Sequence, residues 1–300
     1  MKPSFSVRKQ VVLTLLILIG CLSTTRTFGL GQKTIISIEK SQYGMLFTNI
    51  QVNGKNVKAI IDFGDPNRFQ LSETLVKKLK IPLVKTNKAA IGVNGQYQVY
   101  DGVMETVKVG DMVLKDETFS SSPGDMELIS SQISTDFQAV VGWGFFSDYY
   151  LTMNYSKNEI LLSDTRETQV NVCFSANLDS QFSHLVMQSK INGINANLII
   201  DTGAPLSLLD STFFLMNNIP SSDTVVKHLS DIIPLKTVST TFISSTVSIS
   251  YLIYDLTLTR SMAVGIIGGD IFDKYKVYIE PKEKLIYFIK EQPAIKEKNK

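Results

Sequence analysis

A block of fourteen residues occurs twice in this chain, 139 positions apart. Residues 53–66, with the sequence NGKNVKAIIDFGDP, align without gaps on residues 192–205, with the sequence NGINANLIIDTGAP, and eight positions are identical. Each copy contains an Asn-Gly pair, an apolar run and an Asp-x-Gly sequence. Two copies are too few for a solenoid, which needs at least three repeats. The duplication therefore predicts two similar lobes in one molecule.

A second pair of similar segments follows the first. Residues 140–151 and 266–277 share an apolar-apolar-Gly sequence, a Phe, a Tyr and a final apolar residue, at an offset of 126. Each half therefore has the same predicted order: a hairpin, an apolar strand, Asp-x-Gly, a long β-rich stretch, apolar-apolar-Gly, a short helix and a closing strand.

The local sequence is typical of β-structure. Asn53-Gly54 and Asn192-Gly193 are signals for two-residue hairpin turns between strands. Short helices are expected at 72–79 and 211–217. From Asp62 to Gly142 there are 80 positions, but from Asp201 to Gly268 only 67. The second half is therefore expected to lack about one hairpin.

The overall composition excludes several classes of protein. The chain has 30 basic and 28 acidic residues, and four of the basic ones lie in the first 29 positions, which leaves 26 basic against 28 acidic. This balance argues against a nucleic-acid-binding protein, which would carry a basic stripe. Two cysteines and two histidines without zinc spacing, and no Gly-x-Ser-x-Gly sequence, argue against metallohydrolases and serine hydrolases. No metal site is predicted.

The N-terminus has the pattern of a secretory signal. Basic residues precede an apolar run at 11–19, which small and polar residues follow. Two interpretations remain open: cleavage near Gly29, or acylation of Cys21 at the end of a lipobox-like sequence, which would anchor the protein to a membrane. Either predicts an exported protein that is periplasmic, secreted or a cell-envelope lipoprotein. The predicted organisation is a signal peptide at 1–29, lobes at 30–165 and 166–290, and a charged tail at 291–300.

The duplicated Asp-x-Gly sequence suggests a specific chemistry. Asp62 and Asp201 each follow two isoleucines at the end of an apolar strand, where burial disfavours the charged form. If the two loops meet, the carboxylates cannot readily both ionise, so they share one proton and serve as one acid and one base. Such a pair can activate a water molecule for attack on a carbonyl. No cofactor is needed.

Residues 200–205, with the sequence IDTGAP, and residues 266–270, with the sequence IIGGD, resemble the pattern of retropepsin and pepsin-like aspartic proteases. The resemblance covers roughly residues 40–290 in two copies. It implies an all-β, bilobal pepsin-like fold of two retropepsin-type β-barrel lobes related by a pseudo-twofold axis, with a few short helices. The implied molecule is a monomer whose lobes pair within one chain.

The resemblance also implies roles for individual residues. Asp62 and Asp201 would be the catalytic pair of an endopeptidase acting on peptide or protein substrates. Gly64, Thr202 and Gly203 would support the two loops. A mobile hairpin, or flap, is implied over the substrate, and residues 90–98 with Tyr97 are the candidate in the first lobe, with no second flap expected.

The first copy departs from the family pattern at two positions. Phe63 stands where the family has Thr or Ser, so it cannot form the hydroxyl contact that locks the loops together. Asp65 stands where the family has Ala or Ser, and we expect it to be a solvated loop residue. His184 and His228 are expected to be ordinary surface or strand residues. Two alternatives to the protease therefore stay open: a degenerate pepsin-fold protein that binds peptide or another ligand, and a structural envelope protein.

Overall fold

The computed structural model describes residues 33–290 except 43, 93–94, 123–124, 168–170, 180, 182, 229–230, 244, 258 and 260. These residues form 21 strands and five short helices, which confirms the predicted all-β class. The predicted signal peptide at 1–29, with Cys21, and the predicted tail at 291–300 lie outside the described residues. Within the described part of the chain, no helix is long and apolar enough to span a membrane.

The elements follow the same order in the two halves. The strands of the first half are β1 (Lys33–Ser37), β2 (Glu39–Lys40), β3 (Leu46–Val52), β4 (Lys55–Asp62), β5 (Phe69–Leu71), β6 (Val84–Gly92), β7 (Gly95–Val109), β8 (Met112–Ser121), β9 (Ala139–Gly142), β10 (Tyr150–Asn154) and β11 (Glu159–Ser163). Those of the second half are β12 (Val172–Asp179), β13 (Val186–Ile191), β14 (Ile194–Ile200), β15 (Leu208–Asp210), β16 (Ser222–His228), β17 (Asp231–Thr241), β18 (Thr246–Tyr254), β19 (Gly265–Ile267), β20 (Lys276–Glu280) and β21 (Leu285–Ile289). The helices are α1 (Glu73–Leu79), α2 (Asp125–Gln132), α3 (Trp143–Phe146), α4 (Ser211–Met216) and α5 (Gly269–Phe272).

Each half closes a six-stranded barrel. The first has the strand order β3-β4-β9-β5-β8-β7 and closes where Ile50 of β3 lies opposite Val109 of β7. The second has the order β13-β14-β19-β15-β18-β17 and closes where Ile191 of β13 lies opposite Thr240 of β17. Because equivalent strands occupy equivalent places, the two lobes predicted from the duplication and the bilobal pepsin-like fold implied by the resemblance are confirmed.

A six-stranded sheet joins the two barrels. Its order is β1-β11-β10-β20-β21-β12, so three strands come from each half. The halves meet where β10 pairs with β20, with Thr152 opposite Tyr278. Buried apolar side chains from both barrels and from this sheet form one continuous core. The lobes are therefore packed together rather than loosely linked.

The duplicated Asn-Gly pairs form the predicted turns. Asn53 and Asn192 have φ values of 48° and 49°, and Gly54 and Gly193 have values of 77° and 81°. Positive φ at both central residues is the geometry of a type I′ turn, which matches the twist of the flanking strands. Each turn fixes the register of its hairpin, β3–β4 or β13–β14, and thereby the residue opposite each aspartate.

The two predicted helices are present, and polar side chains define where they start. Ser72 Oγ accepts a hydrogen bond of 3.2 Å from Leu75 N at the start of α1. Asp210 Oδ1 accepts one of 2.8 Å from Phe213 N at the start of α4. Both are N-caps, which satisfy backbone donors that the first turn of a helix leaves free.

The expectation that the second lobe lacks a hairpin is wrong. β16 and β17 pair from Ser222 opposite Thr237 to His228 opposite Asp231, and this hairpin is equivalent to β6–β7 in the first lobe. Part of the difference in length lies in the connection between β8 and β9, which contains α2, whereas the described residues between β18 and β19 contain no helix. The strands β7 and β8 are also longer than their equivalents β17 and β18, which accounts for more of the difference in length. Each lobe therefore has its own flap-like hairpin.

Candidate active site

Two parallel strand pairs place the aspartates. Asp62 is the last residue of β4 and lies opposite Gly142 of β9. Asp201 directly follows β14, and its N–H donates a hydrogen bond of 3.0 Å to Ile267 O of β19. The preceding isoleucines are buried in the barrels. Each carboxyl group is thus held at the end of a strand that the barrel core fixes.

The two Asp-x-Gly loops pack directly against each other. A Cβ atom added to Gly64 would lie 2.7 Å from Asp201 Cγ, and one added to Gly203 would lie 3.0 Å from Asp62 Cγ. Each glycine therefore makes room for the carboxyl group of the other lobe. The structure brings together Asp62, Gly64, Asp201 and Gly203, four residues that the sequence places 139 positions apart in pairs.

Backbone donors hold the two carboxyl groups. Asp62 Oδ1 accepts a hydrogen bond of 2.8 Å from Gly64 N. Asp201 Oδ1 accepts two, of 2.7 Å from Gly203 N and 3.1 Å from Ala204 N. The side chains of the two aspartates also hydrogen-bond each other. Both remain half-buried, so the pair is surrounded by protein but still accessible.

The two carboxyl groups have different affinities for a proton. Burial raises the pKa of Asp62 well above its usual range, and the charges of Asp201 and Asp65 raise it further. Burial also raises the pKa of Asp201, but hydrogen bonds from Asp62, Gly203 and Ala204 oppose that rise. Since Asp201 accepts one more backbone hydrogen bond than Asp62, these contacts favour a proton on Asp62 and a charge on Asp201.

Asp65 is not the solvated loop residue that the sequence suggested. Its side chain is only 8% exposed. Asp65 Oδ1 accepts hydrogen bonds from Asn67 N at 2.9 Å and Asn67 Nδ2 at 2.7 Å, and Oδ2 accepts one from Gln70 Nε2 at 2.7 Å. Burial raises the pKa of Asp65, and these hydrogen bonds lower it. Asp65 is therefore a buried acid beside the half-buried pair.

Thr202 forms a hydroxyl bridge between the lobes. Its Oγ1 accepts a hydrogen bond of 3.0 Å from Phe63 N and donates one of 2.8 Å to Ile61 O, and the side chain is fully buried. Phe63 has no hydroxyl group to return these contacts. Its ring is also fully buried and packs against Trp143 and Phe146, with centroids 5.6 and 5.0 Å apart. One lobe therefore supplies a polar contact and the other an aromatic one.

The apolar-apolar-Gly sequences let a strand pass close behind each loop. A Cβ atom on Gly142 would lie 2.3 Å from Asn67 O, and one on Gly268 would lie 2.6 Å from Leu206 O. Real Cβ contacts are not this short, so only glycine fits at either position. The next residues donate equivalent hydrogen bonds, Trp143 N to Asp65 O at 2.7 Å and Gly269 N to Ala204 O at 2.8 Å.

Asp270 supports the second loop through Ser207. It lies in the first turn of α5, and its Oδ1 accepts hydrogen bonds of 2.8 Å from both Ser207 N and Ser207 Oγ. Ser207 Oγ in turn accepts one of 3.1 Å from Gly268 N. Asp270 thus contacts the loop that carries Asp201 rather than the carboxyl groups of Asp62 and Asp201.

The candidate flap has the predicted hairpin form. In β7, Tyr97 pairs with Ala90 of β6, and the pairing continues to Gly92 opposite Gly95. Tyr97 is half-buried. The equivalent hairpin β16–β17 carries the exposed apolar side chains of Val225 and Ile232.

His184 is a residue whose position sequence reasoning missed. It is half-buried and precedes β13, and Ile200 N donates a hydrogen bond of 2.9 Å to the next residue, Leu185. Burial lowers the pKa of His184, while the charges of Asp65 and Asp201 raise it. His184 therefore belongs to the surroundings of the pair and is not an ordinary surface residue.

The chain has a bilobal pepsin-like fold in which one Asp-x-Gly loop from each lobe meets the other. Residues 48–137 match the family model described as aspartyl protease, which confirms the resemblance to aspartic proteases. The match lies in the first lobe and includes Asp62, although Phe63 and Asp65 depart from the usual motif. No curated protein shows significant similarity to the chain. In the part of the chain that the structure describes, no group of three His, Cys, Asp or Glu side chains is placed to hold a metal ion.

Proposed function

We propose that the protein is an exported aspartic endopeptidase that hydrolyses peptide bonds with water activated by Asp62 and Asp201. The observation that carries this proposal is the packing of two carboxyl groups against each other, each held by backbone N–H groups of its own loop. The aspartyl protease match supports the protease-like function. Export rests on the signal-like sequence at 1–29.

The proposed reaction needs one proton on the pair. Asp201, as the carboxylate, takes a proton from a bound water as the water oxygen attacks the peptide carbonyl carbon. Asp62 gives its proton to the carbonyl oxygen, so a neutral tetrahedral diol forms. Collapse of the diol breaks the C–N bond: the leaving nitrogen takes a proton from Asp201, and Asp62 regains one from a diol hydroxyl. Both residues return to their starting states.

The half-buried position of the pair supports this chemistry. Exclusion of most water strengthens electrostatic interactions with the developing charge. The two flap-like hairpins, β6–β7 and β16–β17, occupy equivalent places in the two barrels, which suits an extended peptide held from both sides. The exposed apolar side chains of Val225 and Ile232 favour a peptide with apolar residues.

The test is cleavage of a denatured protein and of an unbiased peptide library by the purified protein across a pH series. We expect a bell-shaped pH profile, and a loss of activity by orders of magnitude in both Asp62→Asn and Asp201→Asn. Glu283→Gln is a matched control, because it removes an exposed carboxylate on the turn between β20 and β21. Saturable peptide binding without cleavage would instead identify a binding protein.

The proposed pairing of the lobes within one chain has its own test. Activity per mole of protein should not change on dilution, because both aspartates come from one molecule. If Asp62→Asn remained active and lost activity on dilution, second lobes of two chains would have to pair instead.

A further inference from the structure

The two halves of the site differ in ionisable residues at two equivalent positions. The offset of 139 relates His184 to Met45 and Ala204 to Asp65. One lobe therefore has an apolar residue before its first barrel strand and an acid in its loop. The other has a histidine before the strand and an alanine in the loop.

The hairpin register places His184 opposite Asp201. In β13 and β14, Val186 lies opposite Ile199, and Ile200 N donates to Leu185 O, so the next pair outward is His184 and Asp201. Residues directly opposite in an antiparallel pair project their side chains to the same face. In the first lobe, the same register places Met45 opposite Asp62.

The segment before the first barrel strand β3 reaches the loop of the second lobe. A Cβ atom added to Gly44 would lie 3.8 Å from Pro205 Cα, so the segment before β3 lies on the loop that contains Ala204. The equivalent strand order of the two lobes implies that the segment of His184 lies on the loop that contains Asp65. The charges of Asp65 and Asp201 both act on His184, as this arrangement requires.

We propose that His184 and Asp65 form an ionisable pair across the lobe interface that sets the pH range over which the Asp62–Asp201 pair holds a single proton. This inference rests on the proposed function. Neither residue reacts with substrate, so both are positioning residues. The ionisable groups that act on the catalytic pair are Asp65 after β4, His184 before β13 and Tyr155 after β10.

The two residues affect opposite limits of that range. Protonated His184 stabilises the charge on Asp201 and lowers the pKa of Asp201, so the active form persists to lower pH. Ionised Asp65 raises the pKa of Asp62, so the proton on Asp62 persists to higher pH. Tyr155 stays neutral throughout, because burial raises its pKa well above the usual range.

The first test is the pH profile of kcat/KM for the full chain and its variants. His184→Met, which installs the residue of the first lobe, should move the acidic limb upward by roughly 0.5–1 pH unit and leave the alkaline limb in place. His184→Gln should do the same if loss of charge is the cause. Asp65→Asn should move the alkaline limb downward by a similar amount, and Glu283→Gln should move neither limb.

The second test does not depend on catalysis. The chain has only two histidines, so NMR can follow the titration of the His184 imidazole, with His184→Met to assign it. Asp65→Asn should lower the pKa of His184, because it removes a negative charge, and should leave His228 unchanged. In Asp65→Asn, the side-chain carbonyl oxygen at position 65 can still accept the hydrogen bond from Asn67 N, so the turn at residues 65–67 is expected to be retained.

The outcomes separate this inference from the proposed function. A protein that cleaves nothing would overturn the protease, while the NMR titration would still decide whether His184 and Asp65 interact. An unchanged His184 titration in Asp65→Asn would overturn the inference. So would an active protein whose acidic limb stays in place in both His184 variants.

Discussion

Thr202→Val tests whether one hydroxyl group holds the two lobes in register. Valine has nearly the shape of threonine, so the substitution preserves packing and replaces only the hydroxyl with a methyl group. Phe63 N and Ile61 O would both lose their contact with Thr202 Oγ1, at a site where Thr202 is fully buried. The variant therefore isolates the two hydrogen bonds.

The expected loss of stability follows from these contacts. Each buried polar group left without a partner costs about 1–3 kcal/mol. Two such groups give about 2–6 kcal/mol, and we expect the lower half of this range because the interface can relax. The loss should appear in urea denaturation as a lower midpoint at an unchanged m value.

Activity should fall for a separate reason. The same hydroxyl fixes the loop of Asp62 relative to that of Asp201, and small displacements of reacting groups reduce rates strongly. We expect kcat to fall more than KM rises. Thr202→Ser is the matched control, because it keeps the hydroxyl and removes only a methyl group. A stability loss below about 1 kcal/mol in Thr202→Val, or a larger loss in Thr202→Ser, would refute the bridging role.

Two further predictions follow from the first lobe. Phe63→Thr should lower the free energy of unfolding, measured by urea denaturation, by about 2–4 kcal/mol. The variant loses a buried ring packed on Trp143 and Phe146, and this loss outweighs one regained hydrogen bond. Unchanged stability would show that the surrounding rings collapse into the space left by the ring. The raised pKa of Asp62 means that its protonated form stabilises the fold. This contribution to the free energy of unfolding is fully present below the pKa of an ordinary carboxyl group, and it is lost as the pH rises through the raised pKa of Asp62 in the folded protein. Asp62→Asn mimics the protonated form, so its melting temperature should exceed that of the wild type at pH 7 and approach it in acid; a more stable wild type at pH 7 would contradict the shift.

The sequence predicted the features that local rules determine. The Asn-Gly turns fix the hairpin register, and the glycines of the two loops are required because backbone or carboxyl atoms approach them closely. These constraints operate over a few residues, so they are visible in each copy of the repeat. The pairing of the two barrels was expected because each copy carries only one Asp-x-Gly sequence.

The sequence did not reveal features that depend on contacts between distant segments. Asp65 looked like an exposed turn residue, but Asn67 and Gln70 satisfy its carboxylate in a buried site. The second flap was missed because the whole difference in length was assigned to one hairpin, whereas part of it is the connection with α2. Chain length alone cannot locate an insertion.

The position of His184 could have been found from sequence. A two-residue turn at Asn192-Gly193 pairs Ile191 with Ile194, and counting outward along both strands pairs His184 with Asp201. The register of the β13–β14 hairpin continues beyond the residues that form the two strands. Extending the register of both hairpins outward therefore shows that His184 and Met45 are opposite the two aspartates.

The differences between the lobes bear on how the site is assembled. In a symmetric dimer of identical lobes, a change from Thr to Phe at the position of Phe63 would remove both hydroxyl bridges, and an acid at the position of Asp65 would occur twice beside the pair. In one chain with two lobes, Thr202 keeps one bridge and Ala204 keeps the second loop neutral. The polar contact, the aromatic packing and the additional charge can then be divided between the lobes. This division supports the proposed pairing within one chain, because unequal lobes can favour the proton on one particular aspartate of the pair.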